Sequence, residues 1–215
     1  MLASLNGYQI TNGAITIPFS GIWHADLDVE GPALAGRVTV KVGGLTLAGT
    51  VFRAGEFAGN TLFRIVGGAG GWQTIVPSQT YTSNSSVRLS LVVNDAARIT
   101  GETISLDTDR ELGTFYVRQR APAARVLNQL TALWWMRNDG VTVIGARSVS
   151  SVTSQFDVLT GTDLGLGRVI LASDKPEDFV PGKTIRSTTL PTTQTIAGVV
   201  HRIDKTKLRT EIWVR

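Results

Sequence analysis

The sequence predicts a mainly β protein with two short helices, an α+β fold class built from small β-barrel domains. Strand-length segments in which apolar and polar residues alternate recur along the chain, and residues 23–30 show this period-2 pattern clearly. Glycine-rich turns separate these segments, and helical spacing is confined to two stretches in the middle of the chain. These three observations favour strands over most of the sequence.

Composition places the chain among folded globular proteins. Of its 215 residues, 42% are hydrophobic and 18% are charged, unlike the low hydrophobicity and high charge of disordered chains. This length suffices for one large or two small domains. The absence of cysteine excludes disulfide bonds and thiolate metal sites.

Charge and hydropathy argue against a nucleic-acid-binding protein and against a membrane-spanning protein. The 21 basic residues are offset by 17 acidic ones spread along the chain, so the net charge of +4 is only a weak basic bias and nucleic acid is not an expected partner. No apolar run approaches the roughly 18 residues of a membrane-spanning helix. The N-terminus lacks the basic start and apolar core of a secretory signal, so we expect synthesis in the cytoplasm.

The first predicted region, residues 1–83, consists almost wholly of strands. Alternating segments over residues 22–29 and 37–42 are separated by a turn, so we expect a hairpin in which acidic side chains of one strand face basic side chains of the next. Further strands are predicted over residues 45–51 and 62–66.

A glycine-rich segment, GGAGGW, follows at residues 67–72. Because glycine allows positive φ and close backbone approach, a tight corner of a barrel is the favoured interpretation and a phosphate-binding loop is the alternative. A phosphate loop needs a helix directly after its glycines, whereas the residues from Trp72 to Val76 are predicted to continue as a strand that Pro77 ends.

The second predicted region, residues 84–147, holds both helices. Helical spacing of apolar residues predicts one helix over residues 86–99, capped by Ser85 or Ser86 and ended by Gly101, with a strand as the alternative. The second helix is predicted to start with Pro122 at its first position and to end near Ala132.

An Asp-Gly pair at Asp139 and Gly140 follows the second helix. It lies between two runs of β-branched or aromatic residues, which is a strong hairpin signal. Trp134 and Trp135 should then face opposite sides of one strand. A core position for both is the favoured interpretation, and a partner contact through one of them is the alternative.

The third predicted region, residues 148–215, returns to strands. One strand is expected over Arg168–Ala172, followed by an exposed polar loop over residues 173–182. Two longer strands, residues 195–203 and 208–214, flank a hairpin turn of residues 204–207. The strand count fits a compact β-barrel.

Few residues are equipped for catalysis or metal binding. His24, Asp26 and Asp28 share one strand face and could hold a metal ion or polarise a water molecule, although a solvated outer face is favoured. The other histidine, His201, is expected in a strand of the terminal hairpin, where it could bond a carbonyl or titrate at an interface. No serine lies in a Gly-x-Ser-x-Gly elbow or beside a histidine.

Two acidic clusters are the remaining candidates for a glycosidase or a calcium site. They are Asp107, Asp109 and Glu111, and Asp174, Glu177 and Asp178. Neither has the glycine and terminal glutamate of a calcium loop, so ordinary acidic surface loops are favoured. We therefore predict no catalytic, cofactor-binding or metal-binding residue and no enzymatic activity.

Glycine, aromatic and turn motifs recur in four segments of the chain. These segments are FRIVGGAGGWQTIVPSQTY, the helix end at Gly101 and Glu102, ARVLNQLTALWWMRNDGVTVIGAR, and GVVHRIDKTKLRTEIWV. In the order of its elements over most of residues 35–215, the chain resembles baseplate hub or tail tip proteins of tailed bacteriophages.

The resemblance implies a homo-oligomeric ring, with a trimer favoured, whose barrels are related to those of the tail tube. It implies as partners the tail tube protein, distal spike or fibre proteins and the tape measure protein, and it implies a location in the virion tail. Such a ring would link the tube to the distal assembly, and open strand edges could pair between neighbouring subunits.

Two other functions stay open on the sequence. A nucleic-acid-binding barrel would use the basic side chains of the C-terminal hairpin as phosphate contacts and Trp213 as a stacking platform. Those basic residues are Arg202, Lys205, Lys207 and Arg209. A tail-associated glycan hydrolase would instead depend on the acidic loop that contains Asp174, Glu177 and Asp178.

Overall fold

The computed structural model describes residues 2–57, 59–190, 192–205 and 207–215. Its strands are β1 (Ala3–Leu5), β2 (Tyr8–Pro18), β3 (His24–Glu30), β4 (Arg37–Val42), β5 (Leu45–Phe57), β6 (Asn60–Gly67), β7 (Ile75–Val76), β8 (Gln79–Thr82), β9 (Ile104–Leu106), β10 (Phe115–Arg118), β11 (Ala121–Pro122), β12 (Trp134–Met136), β13 (Thr142–Ile144), β14 (Asp157–Val158), β15 (Arg168–Ala172), β16 (Thr184–Ile185), β17 (Gln194–Asp204) and β18 (Lys207–Val214). The helices are α1 (Leu89–Thr100) and α2 (Ala123–Leu130). The predicted class, mainly β with two short helices, is confirmed.

Six strands close into a barrel in the order β1-β4-β5-β6-β3-β2, with β1 pairing back onto β2. The alternation in the sequence sets which side chains fill this barrel, because successive residues of a strand point to opposite faces. Val40, Leu27 and Ile65 are at most 2% exposed. Apolar packing therefore holds the barrel together.

Strand β2 belongs to the barrel and also carries the C-terminal strands. It pairs with β3 on one edge, and on the other its residues 12–18 pair with β17 beyond the short contact with β1. A bulge lies between Ile10 and Asn12. Gly13 has φ 142°, and a Cβ there would lie 2.3 Å from the carbonyl oxygen of Asp26. The chain needs glycine where β2 passes from one pairing to the other.

The sheet continues from β17 through β18 and β15 to β14, and β16 also pairs with β17. The expected hairpin of the last two long strands is confirmed, with Asp204 opposite Lys207. Thr206, which the sequence places in its turn, lies outside the described residues. The division at residues 83 and 147 stays a prediction, and β2 joins the first and third of those regions by backbone pairing.

The middle of the chain is built from short strands packed with both helices. The small sheets are β7–β11, β8–β10 and β12–β13–β9. Arg118 is 1% exposed, and its guanidinium donates to Asp95 on α1 at 2.7 Å. Asp95 also accepts from the Tyr81 hydroxyl at 2.8 Å. A buried ion pair thus fixes α1 against the β8–β10 ribbon.

Both helices are confirmed, with corrections at their ends. Gly101 ends α1 in the left-handed region, as predicted, but no serine caps its start. The Ser90 amide instead donates to Asp109 at 2.9 Å. Pro122 precedes the first helical residue of α2, and that helix ends at Leu130, two residues earlier than expected. Side chains distant in sequence can satisfy helix ends, which local patterns do not reveal.

The predicted hairpin between residues 22–29 and 37–42 is wrong. Strand β3 pairs with β2 and β6, whereas β4 pairs with β1 and β5. The acidic side chain of Asp26 therefore faces Arg64 on β6 and not a basic residue of β4. Segments that are adjacent in sequence need not pair in the sheet, and closure of the barrel places β6 beside β3.

Two further local predictions need correction. Residues Gly71–Gln73 form a 3₁₀ turn, so the strand expected from Trp72 is reduced to β7. The segment over residues 173–182 is not simply an exposed loop. Phe179 is fully buried within it, following a 3₁₀ turn at Pro176–Asp178.

Candidate functional site

The outer face of the sheet formed by β5, β6, β3, β2, β17 and β18 gathers more charged side chains than the sequence alone indicated. Directly opposed residues on neighbouring strands point to the same side. One such row crosses all six strands: Arg53, Arg64, Asp26, Ala14, Arg202 and Arg209. Each of these residues is exposed or partly exposed, so the row lies outside the barrel.

The next row along the same face is of mixed character. It comprises Gly55, Leu62, Asp28, Asn12, Asp204 and Lys207. Leu62 is 59% exposed. This face therefore combines guanidinium groups, carboxylates and an uncovered aliphatic side chain.

His24, Asp26 and Asp28 do share one strand face, as the alternation predicted, and on β6 they lie opposite Val66, Arg64 and Leu62. Asp26 forms an ion pair with Arg64. Burial lowers the pKa of His24, and the nearby Arg64 adds to that effect. A histidine beside a guanidinium is poorly placed to attract a cation. Among the described residues, no three His, Cys, Asp or Glu side chains are grouped so as to hold a metal ion.

The first acidic cluster is divided among structural contacts. Asp109 accepts from the amide and the hydroxyl of Ser90, and the amide hydrogen bond lowers the pKa of Asp109 most. Glu111 pairs with Arg88 at 3.2 Å. Asp107 lies against Gly145, where a Cβ would clash with its carboxylate. These residues hold the start of α1 and its flanking loop.

Two residues of the second acidic cluster, Glu177 and Asp178, have similar roles. Glu177 accepts from the Gly44 amide at 3.2 Å, which ties this loop to the barrel. Asp178 accepts from the Thr153 and Ser154 amides, both at 2.8 Å, and pairs with Lys183. Burial raises the pKa of Asp178, but these hydrogen bonds outweigh it and hold the pKa below its ordinary value.

His201 is fully buried in β17. Its Nδ1 lies 3.0 Å from the Thr210 hydroxyl on β18, and its Nε2 has no partner among the described residues. Burial lowers the pKa of His201 to about 4. The imidazole is therefore neutral at pH 7, and its hydrogen-bond partner is a side-chain hydroxyl, whereas the sequence predicted a carbonyl.

The glycine-rich segment cradles a carboxylate of the protein itself. Glu102 accepts from the Ala69 amide at 3.0 Å and from the Gly71 amide at 2.7 Å. A Cβ at Gly68 would lie 2.6 Å from that carboxylate. Burial raises the pKa of Glu102, although the amide hydrogen bonds oppose this. Glu102 thus occupies the position in which a bound phosphate would lie, and the segment is a close-packed corner.

The two adjacent tryptophans have different surroundings. Trp134 is 4% exposed and belongs to the core. Trp135 is partly exposed and is covered by the Arg147 guanidinium, 4.4 Å from its ring centroid. Arg147 also donates to the carbonyl oxygens of Pro18 and Phe19. The ring of Trp135 therefore stacks on Arg147 of the same chain.

The second half of β5 has an edge without a partner strand. Strand β4 pairs with β5 only as far as Thr50, so residues 53–57 of β5 pair with β6 alone among the described residues, and Phe52 lies in the bulge between Val51 and Arg53. Phe52 is 57% exposed and Phe57 is 79% exposed on this free segment. An unpaired edge flanked by exposed aromatic side chains is a template for pairing with another strand. Alternation marked these strands, but sequence could not show which half of β5 would be unpaired.

Within the described ranges, neither helix has the length and apolar character needed to cross a membrane.

No protein-family model and no curated protein matches the sequence. Solved structures with a similar fold include a tail protein from Neisseria meningitidis, with 12% identity and a TM-score of 0.69 over 99% of this chain and 95% of that one. The 43 kDa tail protein of prophage MuSo2 from Shewanella oneidensis gives 12% identity and a TM-score of 0.66 over 99% and 96%. The predicted resemblance to tail proteins is confirmed as a similarity of fold.

A third similar structure is the Escherichia coli c3393 protein, described as a component of the type VI secretion system that is structurally similar to the T4 bacteriophage tail proteins gp27 and gp5. It shares 10% identity and a TM-score of 0.70, over 99% of this chain and 76% of that one. The fold of this chain therefore recurs in tail proteins, one of them from a prophage, and in a component of the type VI secretion system.

Proposed function

We propose that the chain is a structural component of a bacteriophage tail, a baseplate hub or tail tip protein that forms an oligomeric ring in the virion. Its fold matches two tail proteins, one of them from a prophage, over nearly their whole length as well as its own. In this proposal the ring, with three subunits favoured, joins the tail tube to the distal spike or fibre proteins.

The proposed ring is supported by the free segment of β5, residues 52–57. Residues 52–57 leave backbone groups available to a neighbouring strand, and Phe52 and Phe57 expose apolar surface beside them. Monomeric proteins usually block such edges with charge or proline; residues 52–57 contain no proline, and their charged residues are Arg53 and Glu56. A strand of a second copy would cover the edge and extend the sheet between subunits.

The role is structural and not catalytic. Of the acidic residues that could serve a glycosidase, Glu177 accepts from the Gly44 amide and Asp178 pairs with Lys183. Carboxylates engaged in this way support loops.

Two substitutions on the free edge test the ring. Charges at an edge repel strand pairing, so Phe52→Lys with Phe57→Lys should convert the oligomer into monomer. Phe115→Lys is the matched control, since Phe115 is 60% exposed but lies on β10. The native mass of each purified protein, by light scattering, is the measurement.

Incorporation into particles provides the second measurement. We expect the wild type and the Phe115→Lys variant to be detected in intact virions by an antibody, and the edge variant to be lost from them. A wild-type protein that is monomeric and absent from virions would refute the proposal. A mass that falls equally in the control variant would refute the edge as the contact.

A further inference from the structure

The arginine row on the outer face consists of two pairs separated by a gap. Arg53 lies opposite Arg64 at one end, and Arg202 lies opposite Arg209 at the other. Asp26 and Ala14 occupy the two strands between them. With neighbouring strands about 4.8 Å apart, Arg64 and Arg202 are separated by about 14 Å.

Each arginine pair lines its own depression in the surface. Arg202 and Arg209 line a cavity of about 640 Å³, and Arg53 and Arg64 line one of about 490 Å³. The two depressions share Asn12, Gly13 and Asp26, so they form one continuous groove across the sheet.

One arginine of each pair is held in place while the other is free. Arg64 is bound by Asp26, and Arg202 donates to the buried carboxylate of Glu211 at 2.7 Å. Arg53 and Arg209 are exposed and form no ion pair with the residues that the structure describes. A free guanidinium beside a fixed one offers a planar fork for a carboxylate.

We propose that this groove binds an acidic peptide segment of a partner protein, with two clusters of carboxylates that reach the two arginine pairs. Four residues of extended chain span about 13 to 14 Å, which matches the separation of the pairs. Leu62, 59% exposed in the groove, offers an apolar contact for the residues between the clusters. The proposal does not depend on ring formation, but the groove shares Arg53 with the free segment of β5.

A peptide fits the groove better than a nucleic-acid backbone. The same face carries the carboxylates of Asp26, Asp28 and Asp204 between and beside the arginines. A phosphate at every nucleotide would meet these carboxylates and be repelled. A peptide can place its acidic residues only where the arginines lie.

The test is the affinity of the purified chain for a fluorescein-labelled peptide, Glu-Glu-Gly-Leu-Gly-Glu-Glu, followed by fluorescence anisotropy at low salt. Replacing Arg53→Gln together with Arg209→Gln should weaken binding by about tenfold or more, because charge-assisted hydrogen bonds are lost. Arg120→Gln with Arg125→Gln removes two exposed arginines outside the groove and should leave the affinity unchanged. The same peptide with glutamines in place of its glutamates should bind far more weakly.

Three results would overturn the proposal. These are no saturable binding of the acidic peptide, an equal loss of affinity in the control variant, and tighter binding of a labelled ten-nucleotide oligothymidylate that the groove variant abolishes. Because Arg53 lies on the free segment of β5, the single variant Arg209→Gln, which leaves that segment unchanged, separates this result from a failure of the ring when its native mass and its peptide affinity are measured in parallel. An unchanged mass with lost peptide binding is the outcome that we expect.

Discussion

The six-stranded barrel and the middle region, residues 71–147, are stabilised by different kinds of contact. Inside the barrel, long strands bury apolar side chains such as Leu27 and Ile65, and their backbone groups bond to one another. In the middle region, strands of two to four residues leave more backbone groups to be satisfied by other means. Buried polar side chains supply them there, as Glu102 does for two amides.

This difference teaches where a single substitution should be most damaging. A barrel side chain shares its contacts with many apolar neighbours, so the loss depends on how far the site can collapse. A buried polar side chain in the middle region has one or two specific partners, and its removal leaves them unsatisfied.

The largest effect is expected at Asp95, the partner of buried Arg118. Replacing Asp95→Ala leaves that guanidinium without its carboxylate and should lower the free energy of unfolding by about 3 kcal/mol. Urea denaturation at pH 7 measures this. Arg98→Ala is the control, because it removes from Asp95 only an arginine that is 77% exposed. Equal losses in both variants would contradict the assignment.

The ion pair of Asp95 and Arg118 also predicts that the free energy of unfolding depends on pH. Burial raises the pKa of Asp95, but hydrogen bonds from Arg98, Tyr81 and Arg118 outweigh it and the pKa is lowered. A carboxylate with a lowered pKa stabilises the fold above its unfolded value, and this contribution is lost as the pH falls through the folded value. The difference between wild type and Asp95→Ala should therefore shrink below about pH 4.

An intermediate effect is expected at Glu102. Replacing Glu102→Ala leaves the Ala69 and Gly71 amides unsatisfied in a buried corner and should cost about 1 to 3 kcal/mol. Thermal and urea unfolding measure it, with Glu111→Ala as control because Glu111 forms an exposed ion pair with Arg88. If Glu102→Ala is no more destabilising than this control, the cradle is not a structural support.

The last prediction concerns His201 on β17, a strand that pairs with β2 but lies outside the six strands of the barrel. Its pKa is lowered to about 4 by burial, so the folded state binds fewer protons than the unfolded state between about pH 6.5 and 4. The stability of the wild type should fall by about 2 kcal/mol from pH 7 to pH 5 through this group.

Replacing His201 isolates its contribution to the pH dependence of stability. The variant His201→Leu should show a weaker decline over the same pH range in urea denaturation, whereas His24→Gln should retain most of it, since His24 is only partly buried. An undiminished decline in His201→Leu would assign the pH dependence to other groups.

Alternation was sufficient to predict where strands lie but not which strands pair. Strands were expected over residues 37–42 and 168–172, and both have these bounds in β4 and β15. The predicted pairing of β3 with β4 was wrong because β6, more than thirty residues away in sequence, pairs with β3 in the closed barrel. Pairing depends on barrel closure, which no local pattern encodes.

The sequence could not predict the groove, because the groove also depends on which strands pair. Arg202 and Arg209 were recognised as basic residues of one hairpin, but Arg53 and Arg64 were not connected with them. A bulge between Val51 and Arg53 changes which residues of β5 face outward, and the row spans six strands that are distant in sequence. Only the register of the folded sheet brings these arginines together.

Strand β2 determines how mechanical load passes through the molecule. Its ladders to β3 and β17 run along opposite edges of one strand, and antiparallel hydrogen bonds lie perpendicular to the strand axis. A pull along β2 therefore shears both ladders at once and does not unzip them one bond at a time. Torque on the C-terminal strands reaches the barrel wall through continuous backbone bonding.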